Sequence, residues 1–360
     1  MIFFIAIIVI SYILILGHFA VYQFVVEIFS VSSPHSIFAL QILAVALPLS
    51  FVGALIFSSF FNNILSRAFY RLTAMWMAFF LYLLLVSGLF SLVSLFFYSA
   101  IFGQVLLFFS LLLSVHGLIH AGRTRVVSVD VTLPNLPEFW RNKKAVFMSD
   151  LHLGQIRGVG FARKVVDLVN LQNPDIVLIG GDVFDGVKVN TKEIVEPLKL
   201  LKSAHGTYFV MGNHEEFHDN ASYKKALTDK GIKVLLDEVV NVEGLQIVGV
   251  DYKTTESKKD FEKVMEAMAL DQILPSVLLK HVPMNLDIAK KKGISLTLSG
   301  HTHRAQAWPL NIFTYFIFKG YDYGLKKLGA MSVYTTSGVG TWGPPLRVGS
   351  NSEIVVLNFK

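Results

Sequence analysis

The chain has 360 residues, 53% of them hydrophobic and only 16% charged, with a formal net charge of +6 and no cysteine. The missing cysteine excludes disulfides and thiolate metal sites, leaving any metal to His, Asp, Glu and Asn. A modest positive charge without a dense basic stripe is no nucleic-acid footprint, so no nucleic-acid partner is expected; it suits an anionic bilayer surface or an anionic substrate.

These averages hide a split. Residues 1–122 contain one acid, Glu27, and two bases, Arg67 and Arg71. The remaining 238 residues hold 55 charged side chains, roughly 23%, close to the ~25% of ordinary soluble domains. The pattern predicts a transmembrane region over 1–122, a linker and first strand over 123–143, and a soluble-type domain over 144–360.

Four apolar spans are predicted at about 2–29, 37–61, 72–98 and 101–121, each reaching the ~20 residues a helix needs to cross a bilayer. The first is not a cleavable signal: no basic segment precedes Ile2–Leu16 and no small-x-small site follows. His18, Gln23, Glu27, His116 and His120 lie within or at the edges of the spans, mostly where side chains reach headgroup level. With four spans, the N-terminus, the 62–71 loop and everything after 121 share one side. That side carries Arg67, Arg71, Arg123, Arg125, Arg141, Lys143 and Lys144, whereas the opposite loops at about 30–36 and 99–100 carry no Lys or Arg. The positive-inside rule then puts the C-terminal domain in the cytoplasm, and a three-span count would reverse it.

From Arg125 onward short β runs alternate with helical segments. Strands are predicted at Val126–Val131, Ala145–Ser149, Ile176–Gly180, Thr207–Met211, Leu245–Val250, Val277–Lys280, Ser295–Ser299, Ser332–Thr336 and Ile354–Asn358. Several are continuous apolar runs, as in strands covered on both faces. Helices are predicted at about 160–172, 191–203, 220–230, 258–269 and 284–292.

Five short blocks follow or end these strands: Asp150-Leu151-His152, Gly181-Asp182-Val183-Phe184-Asp185, Gly212-Asn213-His214-Glu215, Lys280-His281-Val282-Pro283 and Gly300-His301-Thr302-His303. In a strand, positions two apart point the same way, so His301 and His303 can turn toward one point, and Gly300 lets the backbone come close to it. Each block alone is ordinary surface or turn chemistry. Five in succession at strand ends are a ligand constellation, because sites in α/β sheets collect at the carboxyl ends of strands. Asp150, His152, Asp182, Asn213, His281, His301 and His303 offer oxygen and nitrogen donors only. That set suits manganese, iron, zinc or nickel better than calcium. Seven groups are too many for one ion, and two divalent ions sharing one carboxylate is the economical arrangement. Two metals about 3.5–4 Å apart are a standard device for in-line attack on phosphorus.

The blocks from about 144 to 360 resemble the calcineurin-like metallophosphoesterases, whose pattern runs Asp-x-His, Gly-Asp-x-x-Asp, Gly-Asn-His-Glu/Asp, His and Gly-His-x-His. The resemblance implies an α/β domain built as a two-sheet sandwich flanked by helices. It implies one ion on Asp150, His152 and His303, the other on Asn213, His281 and His301, and Asp182 bridging both. It makes His214 the general acid and Asp185 and Glu215 the groups that orient the ligands. Membrane-tethered members with Gly-His-Thr-His and a Pro-rich loop before the last strand, here Gly343-Pro344-Pro345 and Glu353–Phe359, are more similar still. They include relatives of a bacterial UDP-diacylglucosamine pyrophosphatase. Many such members read Gly-Gly-Gln after the second histidine. Arg304-Ala305-Gln306 stands here instead and adds a cation for phosphate.

A membrane-anchored phosphoesterase is thus expected, acting on a phosphodiester or pyrophosphate of a lipid-linked or amphiphilic substrate. The alternatives are a tethered hydrolase of soluble nucleotides or phosphoproteins and a non-catalytic membrane scaffold, the latter having no use for a general acid. The run Trp308–Phe318, followed by Lys319, Lys326 and Lys327, has the aromatic-plus-lysine makeup of an interfacial anchor. It is expected either to gather an amphiphilic substrate beside the metals or to pack as an insertion on the protein's own core or its transmembrane bundle.

Overall fold

A computed structural model describes residues 2–185, 189–216 and 220–360. The chain divides into two units, one of residues up to His120 with 343–346, the other of 121–342 with 347–360.

The first unit contains four long apolar helices, α1 (Ile2–Ile28), α2 (Pro34–Phe60), α3 (Ile64–Ser94) and α4 (Ala100–His120). All four are long and apolar enough to cross a membrane. α1 packs against the other three. Small side chains line the contacts, among them Ala44, Ala54, Ala74, Ala78, Ser110 and Ser114, all buried. Between lipid-facing helices close approach replaces the hydrophobic drive, which is why such residues sit there. At Gly103 a Cβ would stand 2.4 Å from Ile28 Cγ2, so only glycine permits that crossing.

Two expectations are corrected here. α3 starts eight residues before the predicted span, so Arg67 and Arg71 lie in its first turns and not in a loop. The Asn63 side chain accepts from Ser66 N at 2.9 Å while Ser66 Oγ accepts from Asn63 N at 3.1 Å, a reciprocal cap that outweighs the polar residues after it. His18 is buried within the helices: it donates Nδ1–H to the Leu14 carbonyl at 2.7 Å, accepts from Trp76 Nε1 at 3.0 Å and stacks on Phe80. Both ring nitrogens are satisfied in the neutral form.

The second unit runs, in chain order, β1 (Thr124–Val131), β2 (Lys144–Met148), α5 (Val159–Asn170), β3 (Ile176–Ile179), α6 (Thr191–Ile194), β4 (Thr207–Phe209), α7 (Asn213–Glu216), α8 (Asn220–Thr228), β5 (Ile232–Val234), β6 (Glu238–Val242) and β7 (Leu245–Gly249). It continues with α9 (Tyr252–Glu256), α10 (Lys258–Ala267), β8 (Ser276–Leu279), α11 (Leu286–Lys291), β9 (Leu296–Ser299), α12 (Asn311–Ile317), β10 (Gly324–Leu328), β11 (Met331–Thr335) and β12 (Ser352–Phe359). The strands form two six-stranded mixed sheets, ordered β1-β12-β2-β3-β4-β5 and β10-β11-β9-β8-β7-β6.

Strand alternation builds three layers of core. Ala145, Phe147, Ile176 and Leu178 of the first sheet pack with Ile247, Val277, Leu279, Leu296 and Leu298 of the second. Their neighbours Val146, Met148, Val177 and Ile179 face Ala162, Val165 and Val169 of α5. Val248 and Leu278 face Phe261 and Met265 of α10. Residues i and i+1 of a strand point to opposite faces, so a continuous apolar run is what a strand covered on both sides requires.

β5, β6 and β10 lie outside the nine predicted strands. All three sit at sheet edges, where pairing is one-sided and polar residues such as Lys326 and Lys327 are tolerated. The predicted helix 191–203 is only one α turn, capped by Asn190, followed by a 3-10 segment at Glu196–Leu200. Pro197 lacks the N–H that a continuing helix needs.

Candidate metal centre

The five blocks leave strands of both sheets and converge. After β2, Asp150 N donates to Gly181 O at 3.0 Å and His152 N to Asp182 O at 3.1 Å, tying the first block to the second. The third is tied in by Glu215, whose fully buried carboxylate accepts from Asp182 N at 2.9 Å, Gly212 N at 2.8 Å and Phe184 N at 3.0 Å. The last is tied to the first through His301 N, 3.0 and 3.1 Å from the Asp150 carboxylate oxygens. Two glycines let the strands close up. A Cβ on Gly212 would lie 2.1 Å from Asp182 Oδ1, and one on Gly300 2.2 Å from Asp150 Oδ2.

The donor atoms fall into two adjoining clusters. In the first, His152 Nε2 and His303 Nε2 face each other at 2.9 Å, with Asp150 Oδ1 3.5 Å from His303 Nε2. In the second, Asn213 Oδ1 lies 3.1 Å from His281 Nε2 and 3.0 Å from His301 Nδ1. Asp182 Oδ2 stands between them, 3.8 Å from His152 Nε2 and 3.2 Å from His281 Nε2. His281 gives Nδ1–H to the Gly180 carbonyl at 2.7 Å, which turns its Nε2 toward the cluster. His214 lies beside the first cluster: its N–H donates to Asp182 Oδ1 at 2.9 Å, and its ring meets the His152 ring edge-on at 4.7 Å.

The electrostatics are those of buried charges in close contact. Burial pushes the Asp182 carboxyl up, but the charges of His281, His152 and His214 outweigh it and hold the group well below its usual range. Burial likewise works against the His281 cation, yet Asp182 and Asp150 raise it to about 9. His301 is pushed down to about 3 by burial and by the His281 charge, and His303 is lowered well below its usual value by burial, His152 and Arg347. Two neutral imidazoles keep their lone pairs free of protons at neutral pH, as metal ligands must. Three donors of each cluster lie within 4.8 Å of one another. Facing imidazole nitrogens with carboxylates and an amide oxygen around them form a nitrogen–oxygen set that fits divalent transition metals.

Three expectations look different in space. Glu215 orients main-chain N–H groups and no histidine; Asp185 Oδ1 is the carboxylate near a ligand ring, 3.5 Å from His152 Nδ1. Arg304 is turned to Tyr323, its guanidinium 4.7 Å from the ring centroid. The Trp308–Phe318 run is no core insertion: it contains α12, which has no buried residue, and only Phe318 at its end is buried, 6.2 Å ring to ring from His301.

Arg347 is not singled out by the sequence. It is fully buried and donates to the carbonyls of His303 at 2.9 Å, Ser337 at 2.7 Å and Gly340 at 2.6 Å. A guanidinium spread over three turns fixes the backbone that carries His303. The only sequence signal is a lone arginine between apolar neighbours, which points nowhere without the fold.

A family model for calcineurin-like phosphoesterases matches residues 143–305. A Helicobacter pylori (strain J99) protein named an uncharacterized metallophosphoesterase is 35% identical over 222 residues, 60% of this chain and 59% of that one. A Danio rerio protein named transmembrane protein with metallophosphoesterase domain is 32% identical over 266 residues, 69% of this chain and 60% of that one. A solved 5'-nucleotidase precursor from Thermus thermophilus aligns with a TM-score of 0.34 and 17% identity over 60% of this chain and 54% of that one. The chain thus spans less than two thirds of the length of these relatives. Four membrane-capable helices precede a two-sheet α/β unit whose strand ends carry all five blocks, and residues 143–305 of that unit match a calcineurin-like phosphoesterase domain.

Proposed function

We propose that the chain is a membrane-anchored phosphoesterase that hydrolyses a phosphodiester or pyrophosphate bond with two divalent ions. Asp150, His152 and His303 hold one ion, Asn213, His281 and His301 hold the other, and Asp182 serves both. The observation that carries this is the position of Asp182 Oδ2, within 4 Å of a histidine nitrogen from each cluster. When bound, the ions supply Lewis acidity for the phosphoryl oxygens and for an attacking water.

The chain's own residues do the rest. Glu215 holds the turns carrying Asp182 and Asn213, and Arg347 holds the turn carrying His303, which limits how far the donors can move. His214 stands beside the first cluster as the acid for the leaving oxygen. Burial holds its ring below the usual imidazole value, while Asp182 and the main chain of Asp185 oppose that shift. A phosphoester anion bound next to the ring raises its proton affinity further, so substrate itself charges the acid.

An amphiphilic substrate is favoured over a soluble one by the exposed rings of α12, which begin within ten residues of His303. The basic side chains of the N-terminal part of α3 and of residues 123–144 support a cytoplasmic domain. The test is hydrolysis by the purified full chain with manganese, comparing a lipid-linked pyrophosphate with bis-p-nitrophenyl phosphate. Asp182→Asn abolishes both activities and lowers metal content. Phe313→Ser with Phe316→Ser raises KM for the lipid substrate alone. Full activity in Asp182→Asn, or equal loss on both substrates in the ring variant, overturns the respective part.

A further inference from the structure

The second unit carries an apolar surface that its own core does not use. In α12, Phe313 is 64% exposed and Phe316 70%, and Ile312, Tyr315 and Ile317 are each at least half exposed. Beside the helix lies a pocket of about 430 Å³ lined by Arg304, Tyr315, Phe316, Asp322, Tyr323 and Lys326, among others. The volume falls in the range of small-molecule sites, about 300–1,000 Å³.

Its polar groups are arranged for an anion. The Arg304 guanidinium carbon stands 4.7 Å from the Tyr323 ring centroid, a contact that helps hold the cation at the pocket wall. Lys326 enters from the exposed edge strand β10. Among the described residues neither cation has a carboxylate within ion-pair distance. Asp322, the acid of the pocket, is buried; its Oδ2 accepts from Thr314 Oγ1 at 3.1 Å and its carbonyl from Thr302 Oγ1 at 2.7 Å. It therefore braces α12 against the turn between His301 and His303.

We propose that α12 and this pocket form a binding site for an anionic phospholipid. Arg304 and Lys326 take the headgroup phosphate, and the rings of Phe313 and Phe316 enter the acyl boundary. Two features select lipid over a soluble anion: the cations are bordered by large exposed apolar side chains, and the chain has four helices able to cross a membrane, so a bilayer is its constant neighbour. The site goes beyond the hydrolysis proposed above and stands whether or not the metal centre turns over a lipid.

The chain has no cysteine, so Phe313→Cys creates a single thiol for a nitroxide label. The labelled full chain is placed in nanodiscs of phosphatidylcholine alone or mixed with phosphatidylglycerol. Collision with dissolved oxygen and with a water-soluble nickel chelate is then measured by electron paramagnetic resonance. The site 313 label is expected to favour oxygen over nickel, more so with phosphatidylglycerol. Arg304→Gln with Lys326→Gln is expected to remove that anionic-lipid dependence, a loss on the order of thirtyfold in the lipid-bound to free ratio for two cations. Metal content and thermal unfolding of the variant check that it is folded. Nickel access that is equal with both lipids, or a phosphatidylglycerol effect that survives the double substitution in the folded variant, overturns the proposal. So does inorganic phosphate reproducing the phosphatidylglycerol effect, which would make the pocket a site for a soluble anion. None of these readouts depends on catalysis, so they fail or hold separately from the hydrolytic function.

Discussion

Glu215 offers the sharpest test of how the site is held. Its carboxylate accepts three main-chain N–H groups, two on Oε2 from Asp182 and Gly212 and one on Oε1 from Phe184. Glu215→Gln keeps the shape but offers only one accepting oxygen. If that oxygen takes the Oε2 position, the amide NH₂ opposes the Phe184 N–H and one charge-assisted bond is lost. Such a bond contributes about 1.5–3 kcal/mol, and a buried donor left unpaired costs about 1–3 kcal/mol. Against this, the native carboxylate is raised to about 7 by burial and by the Asp182 charge, so removing it relieves some repulsion. A net loss of about 2 kcal/mol corresponds to roughly thirtyfold weaker metal binding, within the ~10–100-fold typical of groups that orient ligands. The assay is calorimetric titration of manganese into the metal-stripped full chain at about pH 8, where Glu215 is mostly ionised. Affinity of Glu215→Gln within about threefold of the parent would refute the view that the carboxylate preorganises the ligand turns.

His214→Ala should keep its metal content and lose about 10²–10⁴-fold in kcat on alkyl phosphodiesters. The loss should shrink on p-nitrophenyl esters, whose leaving group needs little protonation, and parallel loss of metal and activity would make His214 a ligand. Gly300→Ala should lose metal from the first cluster while the sheets stay folded by circular dichroism, since its Cβ would stand 2.1 Å from Ser149 Oγ and 2.2 Å from Asp150 Oδ2. A C-terminal alkaline-phosphatase fusion in a bacterial host should be inactive and a C-terminal fluorescent-protein fusion bright; the reverse pair would put the domain on the outer side.

Legibility in the sequence follows the size of the physical signal. The four apolar spans and the strand Ile176–Ile179 announce themselves because lipid around the one and packed layers on both faces of the other leave little room for polar residues. Edge strands β5, β6 and β10 carry polar residues on their open sides and read as loops. The start of α3 escapes composition because the Asn63–Ser66 cap is a local hydrogen-bond device inside a polar stretch that reads as a connection. At the metal centre the donor types are visible and their supports are not. Arg347 acts through carbonyl oxygens of three separate turns, and no spacing rule encodes such partners.

The ligand turns show a further difference between pattern and geometry. A strand places residues two apart on one face, yet Asp150, His152, His301 and His303 all lie just beyond their strands. Asp150 and His152 have φ of 56° and 48°, and His301 and His303 have φ of 69° and 47°. Asp182, the carboxylate between the clusters, has φ of 53°. Each pair is therefore a left-handed residue, a spacer and a second left-handed residue. The spacers turn away: Leu151 packs into the core against α5, and Thr302 gives its hydroxyl to the Asp322 carbonyl. Left-handed backbone costs side chains other than glycine about 1–3 kcal/mol per residue at such sites. It persists here because the turns are cross-braced by main-chain hydrogen bonds from Asp150 to Gly181 and His152 to Asp182, and by His301 N on the Asp150 carboxylate. Five of the seven donor residues thus hold a conformation that only their neighbours sustain. The backbone aims these side chains, so the folding energy of the two sheets carries part of the entropic cost of assembling the site.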